Sequence, residues 1–299
     1  MSLLRLLLLS LAALAVSVEA VAEGSLPSLI LMSLDGGILP STWDLAYKQT
    51  IMPMTWFTCC CLHGKDTGDC GVVQQAYELG HEMASHTMTH SEETLDYTRA
   101  EWATEIGGQR SWLADECGIP ADQVVGFRAP NFRINNLMGE VLADLQFDYD
   151  SSLGDLNYTQ RAGQMNGTFD LSPCQEDAEM RARCGDWDEL PLYEVPAYKL
   201  AGSGKRMDPL PLNGKSVLQR FQEDFERKRG LGVPTSINVH EPYLADSDSR
   251  SQVVAFLKWA FAQPGDTWAI THQQYMEWVA APPGTPVEDI VARYPCDAS

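Results

Sequence analysis

Buried strands that alternate with amphipathic helices most limit what this chain can fold into. Residues 25–34 form a run rich in large apolar side chains, which is typical of a buried strand, and residues 72–79 have a helical pattern that stops at Gly80. Ser91 and the two acidic residues after it are expected to open a long helix that runs to about residue 117. Further strands are expected over residues 54–60, 81–85, 124–127, 147–151, 193–196, 236–239 and 268–271, and further helices over residues 137–145, 217–229, 252–261 and 272–279. This order predicts an α/β fold with a parallel sheet or barrel.

Four reactive residues fall where predicted strands end: Asp35, His86, Arg128 and His240. The carboxyl ends of the strands in a parallel barrel form one face, and active sites are built there. If these residues had only structural roles, they would be expected at both ends of the strands and on the helices. We therefore expect the four side chains to lie at one end of the sheet.

His86 and His90 stand four residues apart in the segment His-Thr-Met-Thr-His. Two imidazoles at this spacing can reach one ion, either from one helical face or from a turn that leaves a strand. Imidazole suits Zn²⁺ and also Co²⁺ or Ni²⁺. The spacing also fits a hydrogen-bonded turn without a metal. His63 and His272 lie in loop or helix-start contexts and are not expected to be ligands.

Taken in order, these motifs resemble those of the polysaccharide deacetylases, of the NodB-homology, carbohydrate esterase type. Residues 80–90 resemble the second motif of that family, which supplies two metal-binding histidines. Residues 126–130 resemble the third motif, R-x-P, and residues 238–240 resemble the late histidine motif. Residues 147–152 and 193–196 resemble strands that lie between them. The context is closest to the metazoan chitin deacetylase-like proteins, and the resemblance implies a distorted (β/α) barrel.

The first motif departs from the family pattern, T-F-D-D-G or T-F-D-D-A, in which the first aspartate is the general base and the second is a metal ligand. Here the segment reads Ser33-Leu34-Asp35-Gly36-Gly37. One register places Asp35 on the base and Gly36 on the ligand, and the other makes Asp35 the ligand and loses the base. We prefer the first, because Leu34 then fills the buried aromatic position. In both registers one carboxylate is missing.

The resemblance implies a metal-dependent hydrolase that removes N-acetyl groups from chitin or a related GlcNAc-containing glycan, with Zn²⁺ as the expected metal and Co²⁺ or Ni²⁺ as alternatives. The implied metal ligands are His86 and His90, with Asp35 as the general base that could also move onto the metal. Further implied roles are Arg128 as the group that holds Asp35, the backbone N–H of Asn131 as an oxyanion donor, and His240 as the acid for the leaving nitrogen, tuned by Asp150 or another acid.

Two other functions remain open at this point. Because Gly36 cannot coordinate a metal, the chain could be a catalytically weakened or inactive deacetylase-like protein that binds glycans without cleaving them. A hydrolase of non-sugar amides on the same scaffold would also fit the motifs.

Several features of the sequence indicate secretion. Residues 1–22 have the charged start, apolar run and Ala20-Val21-Ala22 ending of a cleaved signal peptide, so residues 23–299 are expected to form one mature domain. The eight cysteines suggest disulfides, and Cys174 and Cys184 could close a small loop. A zinc–thiolate cluster is not favoured, because the sequence has no paired C-x-x-C spacing. Asn157 and Asn166 begin N-glycosylation acceptor triplets.

The net charge of −20 argues against nucleic acid and anionic membrane surfaces as partners. It is compatible with a neutral or cationic glycan such as chitin or another acetylated polysaccharide. No segment after the N-terminal run is apolar for long enough to span a membrane, so no membrane association is expected once the signal peptide is cleaved. The sequence does not set an oligomeric state.

Overall fold

A parallel sheet flanked by helices forms the frame of the computed structural model, which describes residues 26–62, 64–154, 160–165, 190–204 and 206–294. The strands are β1 (Ser28–Gly36), β2 (Thr55–Thr58), β3 (Cys61–Leu62), β4 (Lys65–Asp66), β5 (Glu82–Ser85), β6 (Gly126–Phe127), β7 (Tyr149–Asp150), β8 (Gly163–Gln164), β9 (Tyr193–Glu194), β10 (Thr235–Val239) and β11 (Thr267–Ile270). The helices are α1 (Pro40–Thr50), α2 (Cys70–Glu78), α3 (Arg99–Asp115), α4 (Asn136–Asp144), α5 (Val217–Lys228), α6 (Glu241–Ala245), α7 (Ser247–Phe261), α8 (His272–Ala280) and α9 (Val287–Val291).

The strands of the main sheet follow the order β10-β1-β2-β5-β6-β7-β9-β8, and β11 pairs with the first part of β1. Every pairing in this sheet is parallel except that of β8 with β9. The sheet curls into a half barrel, and helices connect β1 to β2, β5 to β6, β6 to β7, β9 to β10 and β10 to β11. The predicted α/β fold, a distorted (β/α) barrel, is therefore confirmed.

Strand β1 divides its side chains between two apolar cores. Leu29 and Leu31 pack with residues of β2, β7 and α8, whereas Ile30, Met32 and Leu34 pack with residues of α1, α5 and α7. All five are at most 2% exposed. Burial of a side chain of this size contributes about 1.5–3 kcal/mol, so the register of β1 is strongly fixed. By the same alternation, Ser33 and Asp35 continue the face of Leu29 and Leu31.

Helix α3 begins later than the sequence pattern indicates. The expected start at Ser91 is wrong, because residues 91–98 form a loop with a short 3₁₀ turn, and the helix begins at Arg99. Thr98 and Glu101 form a capping box in which the Thr98 hydroxyl accepts from the Glu101 N–H, and the Glu101 carboxylate accepts from the Thr98 N–H at 2.7 Å. Such a cap contributes about 1 kcal/mol. The Ser91 hydroxyl instead accepts from the Glu93 N–H in a local turn.

A disulfide joins Cys70, at the start of α2, to Cys117, which follows α3. It closes a sequence separation of 47 residues, and the chain-entropy contribution for such a loop is about 4 kcal/mol. Cys59, Cys60 and Cys61 are free thiols. Residues 1–22, the cysteines at 174, 184 and 296, and the glycan acceptors at 157 and 166 lie outside the described residues. Within the described ranges, no helix combines the length and apolar character needed to cross a membrane.

Candidate active site

The four reactive residues lie at one edge of the sheet. Asp35 is near the end of β1, while His86, Arg128 and His240 directly follow β5, β6 and β10. These strands belong to one parallel run of the sheet, so their carboxyl ends face the same way. The structure thus brings together the residues that their positions in the sequence suggested. Their catalytic roles stay predictions.

A buried ion pair joins Asp35 and Arg128. Nη1 of Arg128 donates to Oδ1 of Asp35 at 2.7 Å, and the two side chains are 0% and 3% exposed. A charge taken this far out of water requires such a partner. The Phe57 ring lies 3.9 Å below the guanidinium carbon and adds a cation–π contact. The pair fixes the Asp35 carboxylate and leaves its second oxygen, Oδ2, for other contacts.

His86 presents one ring nitrogen toward that carboxylate. Its Nδ1–H donates to the backbone carbonyl of Arg128 at 2.7 Å, so Nε2 carries the lone pair, and Nε2 lies 3.9 Å from Oδ2 of Asp35. That distance is too long for a hydrogen bond. Burial lowers the pKa of His86 to about 4, and the positive charge of Arg128 adds to this effect while Asp35 opposes it. The imidazole is therefore neutral near pH 7, as a metal ligand must be.

His90 lies beside His86, with ring centroids 4.9 Å apart and ring planes 68° apart. The turn that joins them places Thr87 and His90 in left-handed backbone conformations, with φ of 64° and 52°. Glu105 of α3 holds this turn by accepting from the N–H groups of Met88 and Thr89, each at 2.9 Å. The motif is therefore a turn that leaves a strand, and α3 anchors it.

The donor set offers a metal two imidazoles and one nearby carboxylate oxygen. These are ligand types that Zn²⁺ accepts. However, no group of three or more His, Cys, Asp or Glu side chains in the described part of the chain is arranged to hold an ion. Gly36 has φ of 111°, and a Cβ added there would meet no atom within 4 Å. There is thus open space at position 36, where the family pattern has an aspartate. A metal bound at this edge of the sheet would be held by His86 and His90.

His240 pairs with Asp208, which the sequence analysis missed. Nδ1 of His240 lies 2.6 Å from Oδ2 of Asp208, and the His240 backbone N–H donates to Oδ1 of the same carboxylate at 2.9 Å. Burial lowers the pKa of His240, but the hydrogen bond to Asp208 and the charges of Asp35 and Asp208 outweigh it, so the net pKa is raised. Asp208 lies 32 residues before His240 in an irregular segment, and no spacing pattern pointed to it.

Asp150, which was considered as a partner for His240, has a different partner. It is fully buried and lies opposite Glu194 of the neighbouring strand β9, while the Ser152 hydroxyl donates to Asp150 at 2.6 Å. Burial raises the pKa of Asp150 to about 6, and burial followed by the charge of Asp150 raises that of Glu194 well above its usual range. Asp150 and Glu194 are thus two neighbouring buried acids that both favour the protonated form.

Asn131 lies in the 3₁₀ turn Pro130–Phe132, directly after Arg128 and Ala129. Asn131 and Phe132 both have left-handed backbone conformations, with φ of 53° and 56°. Two such residues in succession are costly, most of all for a bulky aromatic residue, and backbone strain of this kind clusters at functional sites. The turn places Asn131 at the same sheet edge as Arg128.

Comparisons with known proteins relate part of this chain to a described family. Residues 46–149, which include His86, His90 and Arg128, match the family model described as polysaccharide deacetylase. Over these residues the chain is similar to the polysaccharide deacetylases. Chitin deacetylase 1 of Bombyx mori is 24% identical to this chain over 232 residues, which are 70% of this chain and 42% of the relative. The chain therefore spans less than half the length of that relative.

Two solved structures have a fold similar to that of this chain. The PuuE allantoinase has a TM-score of 0.58 at 13% identity, and the match covers 86% of this chain and 92% of that one. The chitin deacetylase from the fungal pathogen Colletotrichum lindemuthianum has a TM-score of 0.51 at 14% identity, with 83% and 87% covered. At these identities the likeness shows the fold and not the substrate.

Proposed function

We propose that this protein is a divalent-metal-dependent hydrolase that removes N-acetyl groups from chitin or a related GlcNAc-containing glycan. The observation that carries the proposal is the buried Asp35 carboxylate, which Arg128 holds at one oxygen while the other faces His86 at 3.9 Å. The match of residues 46–149 to the polysaccharide deacetylase model and the similarity to a chitin deacetylase support the same reaction.

The metal would be held by His86 and His90, with Zn²⁺ proposed and Co²⁺ or Ni²⁺ as alternatives. The chemistry that a bound divalent ion supplies is Lewis acidity toward the acetyl carbonyl and the attacking water. The missing carboxylate at Gly36 leaves one ligand position to water, and we expect weaker metal binding than a three-ligand site would give.

The chain's own residues would carry the proton transfers. Asp35 would take the proton of the attacking water, and Arg128 would hold the carboxylate ionised and in place. The backbone N–H of Asn131 would donate to the oxyanion. His240 would protonate the departing amine, because Asp208 keeps it protonated at a higher pH than an ordinary histidine.

We also propose that residues 1–22 are a signal peptide and that residues 23–299 form the secreted domain. The disulfide between Cys70 and Cys117 supports this proposal, since such bonds persist in oxidising compartments. Mass spectrometry of the protein secreted from a eukaryotic host would test the cleavage site after Ala22 and the glycans at Asn157 and Asn166.

A second candidate is a glycan-binding protein without activity. The glycine at position 36 and the lack of a three-donor cluster in the described residues favour it. Acetate release from chitin oligosaccharides, measured with added Zn²⁺ or Co²⁺ and with a chelator, distinguishes the two. Metal-restored release supports the hydrolase. No release with any metal, together with retained chitin binding, would establish the binding protein instead.

A further inference from the structure

A line of buried polar side chains runs through the sheet from Glu82, at the start of β5, to Asp35, at the end of β1. The Thr55 hydroxyl donates to Oε2 of Glu82 at 2.9 Å and lies 2.9 Å from Nδ1 of His272. Nε2 of His272 lies 3.3 Å from Nη2 of Arg128, which binds Asp35 through Nη1. All five residues are at most 7% exposed. Water therefore has little access to these side chains and cannot readily replace any of their hydrogen bonds.

The direction of each hydrogen bond in this line follows from its end at Glu82. The Thr55 hydroxyl has one proton and gives it to Glu82, so its oxygen accepts from the backbone N–H of His272 and from Nδ1–H. Nε2 of His272 then carries the lone pair and accepts from Arg128. Burial, followed by the charge of Arg128, lowers the pKa of His272 well below its usual range, which keeps the ring neutral.

This arrangement gives the Arg128 guanidinium an acceptor for each of its five N–H groups. Nε donates to the Ser151 carbonyl, Nη1 donates to the Ser33 hydroxyl and to Asp35, and Nη2 donates to the Ser151 hydroxyl and faces His272. The opposite tautomer of His272 would set its N–H against an Arg128 N–H in a dry interior. An unpaired buried donor is costly there, so the guanidinium would shift or rotate.

We propose that Thr55 and His272 are positioning residues of the deacetylase site: Thr55 sets the tautomer of His272, and His272 holds the guanidinium of Arg128 so that Nη1 faces Asp35. The effect on rate rests on the proposed function, whereas the hydrogen-bond arrangement can be measured without it. A misplacement of about 1 Å at a catalytic group can cost about 100-fold in rate.

The test compares Thr55→Val, which removes the hydroxyl at nearly constant volume, with Thr55→Ser, which keeps it. Thr235→Val is the packing control, because Thr235 is 1% exposed on β10 and its hydroxyl has no hydrogen-bond partner among the described residues. The tautomer of His272 is read from ring ¹⁵N shifts in the full, histidine-labelled chain. The chain has six histidines, and the spectrum of His272→Phe assigns the signal.

We expect the Nδ1–H tautomer in the unmodified chain and in Thr55→Ser. In Thr55→Val we expect loss of that single tautomer and a fall in kcat of about 10- to 100-fold, with KM for chitin oligosaccharides changed less than about threefold. Thr235→Val should keep kcat within about twofold. If Thr55→Val does not fold, His272→Phe provides the same kinetic comparison.

An Nε2–H tautomer in the unmodified chain would overturn the proposal. So would an unchanged kcat in Thr55→Val once its tautomer has changed. If the unmodified chain releases no acetate with any metal, the proposed function fails, and positioning is then read from the Arg128 guanidinium N–H signals. Separate, slowly exchanging Nη signals in the unmodified chain that average in Thr55→Val support positioning, and signals alike in both variants refute it.

Discussion

Replacement of Arg128 by methionine tests whether the Asp35–Arg128 pair is a buried, mutually dependent unit. Both side chains are at most 3% exposed, and the change leaves the Asp35 carboxylate without its counter-ion. Removal of one partner from a buried ion pair costs about 3–5 kcal/mol. For a protein of this size, a loss of 1 kcal/mol lowers the melting temperature by about 2–4 °C. We therefore expect Arg128→Met to melt about 6–20 °C lower.

The cost of removing Arg128 also depends on a second change, at Asp35. The double variant Arg128→Met/Asp35→Asn carries no charge at the buried pair and should recover about 1–3 kcal/mol relative to Arg128→Met alone.

Urea denaturation followed by tryptophan fluorescence measures these differences in stability. Arg99→Met is the matched control, because Arg99 forms ion pairs with Glu140 and Asp144 at the surface, where its side chain is 47% exposed. Such pairs contribute about 0–1 kcal/mol. A loss in Arg128→Met no larger than in the control, or a double variant no more stable than Arg128→Met, would refute the account of the pair.

Three further predictions concern single side chains. Gly36→Asp should tighten Zn²⁺ binding, measured by calorimetry, by at least about tenfold, or 1.4 kcal/mol. Because φ at position 36 is 111°, the variant should also be less stable by about 1–3 kcal/mol. An unchanged affinity would show that position 36 does not face the metal. Asp208→Asn should lower the pKa of His240 in an NMR titration. Because His240 acts in its protonated form, the alkaline fall of kcat/KM should also move to lower pH. An unchanged pKa of His240 would show that Asp208 does not raise it. The raised pKa values of the buried acids Asp150 and Glu194 mean that the folded state binds extra protons, so stability falls as pH rises through about 6. Glu194→Gln removes one of these two titrating groups and should flatten the fall in urea denaturation between pH 5 and 8, whereas an unchanged slope would show that Glu194 does not contribute to it.

Features that depend on a local sequence pattern could be predicted best. Strand β1 could be predicted because its apolar run has no competing helical pattern, and alternation along it separates Leu34 from Asp35. Residues at strand ends could be grouped because parallel strands share one direction. The turn from His86 to His90 was visible as a motif, although the sequence did not show that Glu105 of α3 holds it.

Contacts between distant segments could not be predicted in this way. Asp208 meets His240 across 32 residues, and His272 meets Arg128 across 144 residues. Each contact depends on how the whole sheet curls, and a single sequence carries no local signal for that. The late start of α3 has a different cause, since Ser91 and Thr98 both precede acidic residues, and only tertiary structure decided which one caps the helix.

Zinc occupancy and acetate release, measured together on the same samples, test the proposed metal-assisted deacetylase most directly. The chelator-treated protein is titrated with Zn²⁺, bound metal is quantified by elemental analysis, and acetate release from chitin oligosaccharides is followed in each sample. We predict that the rate rises in proportion to bound zinc up to about one ion per chain, and that His90→Ala abolishes both. A rate that does not follow occupancy, or zinc bound equally by His90→Ala, would contradict a working metal centre at His86 and His90.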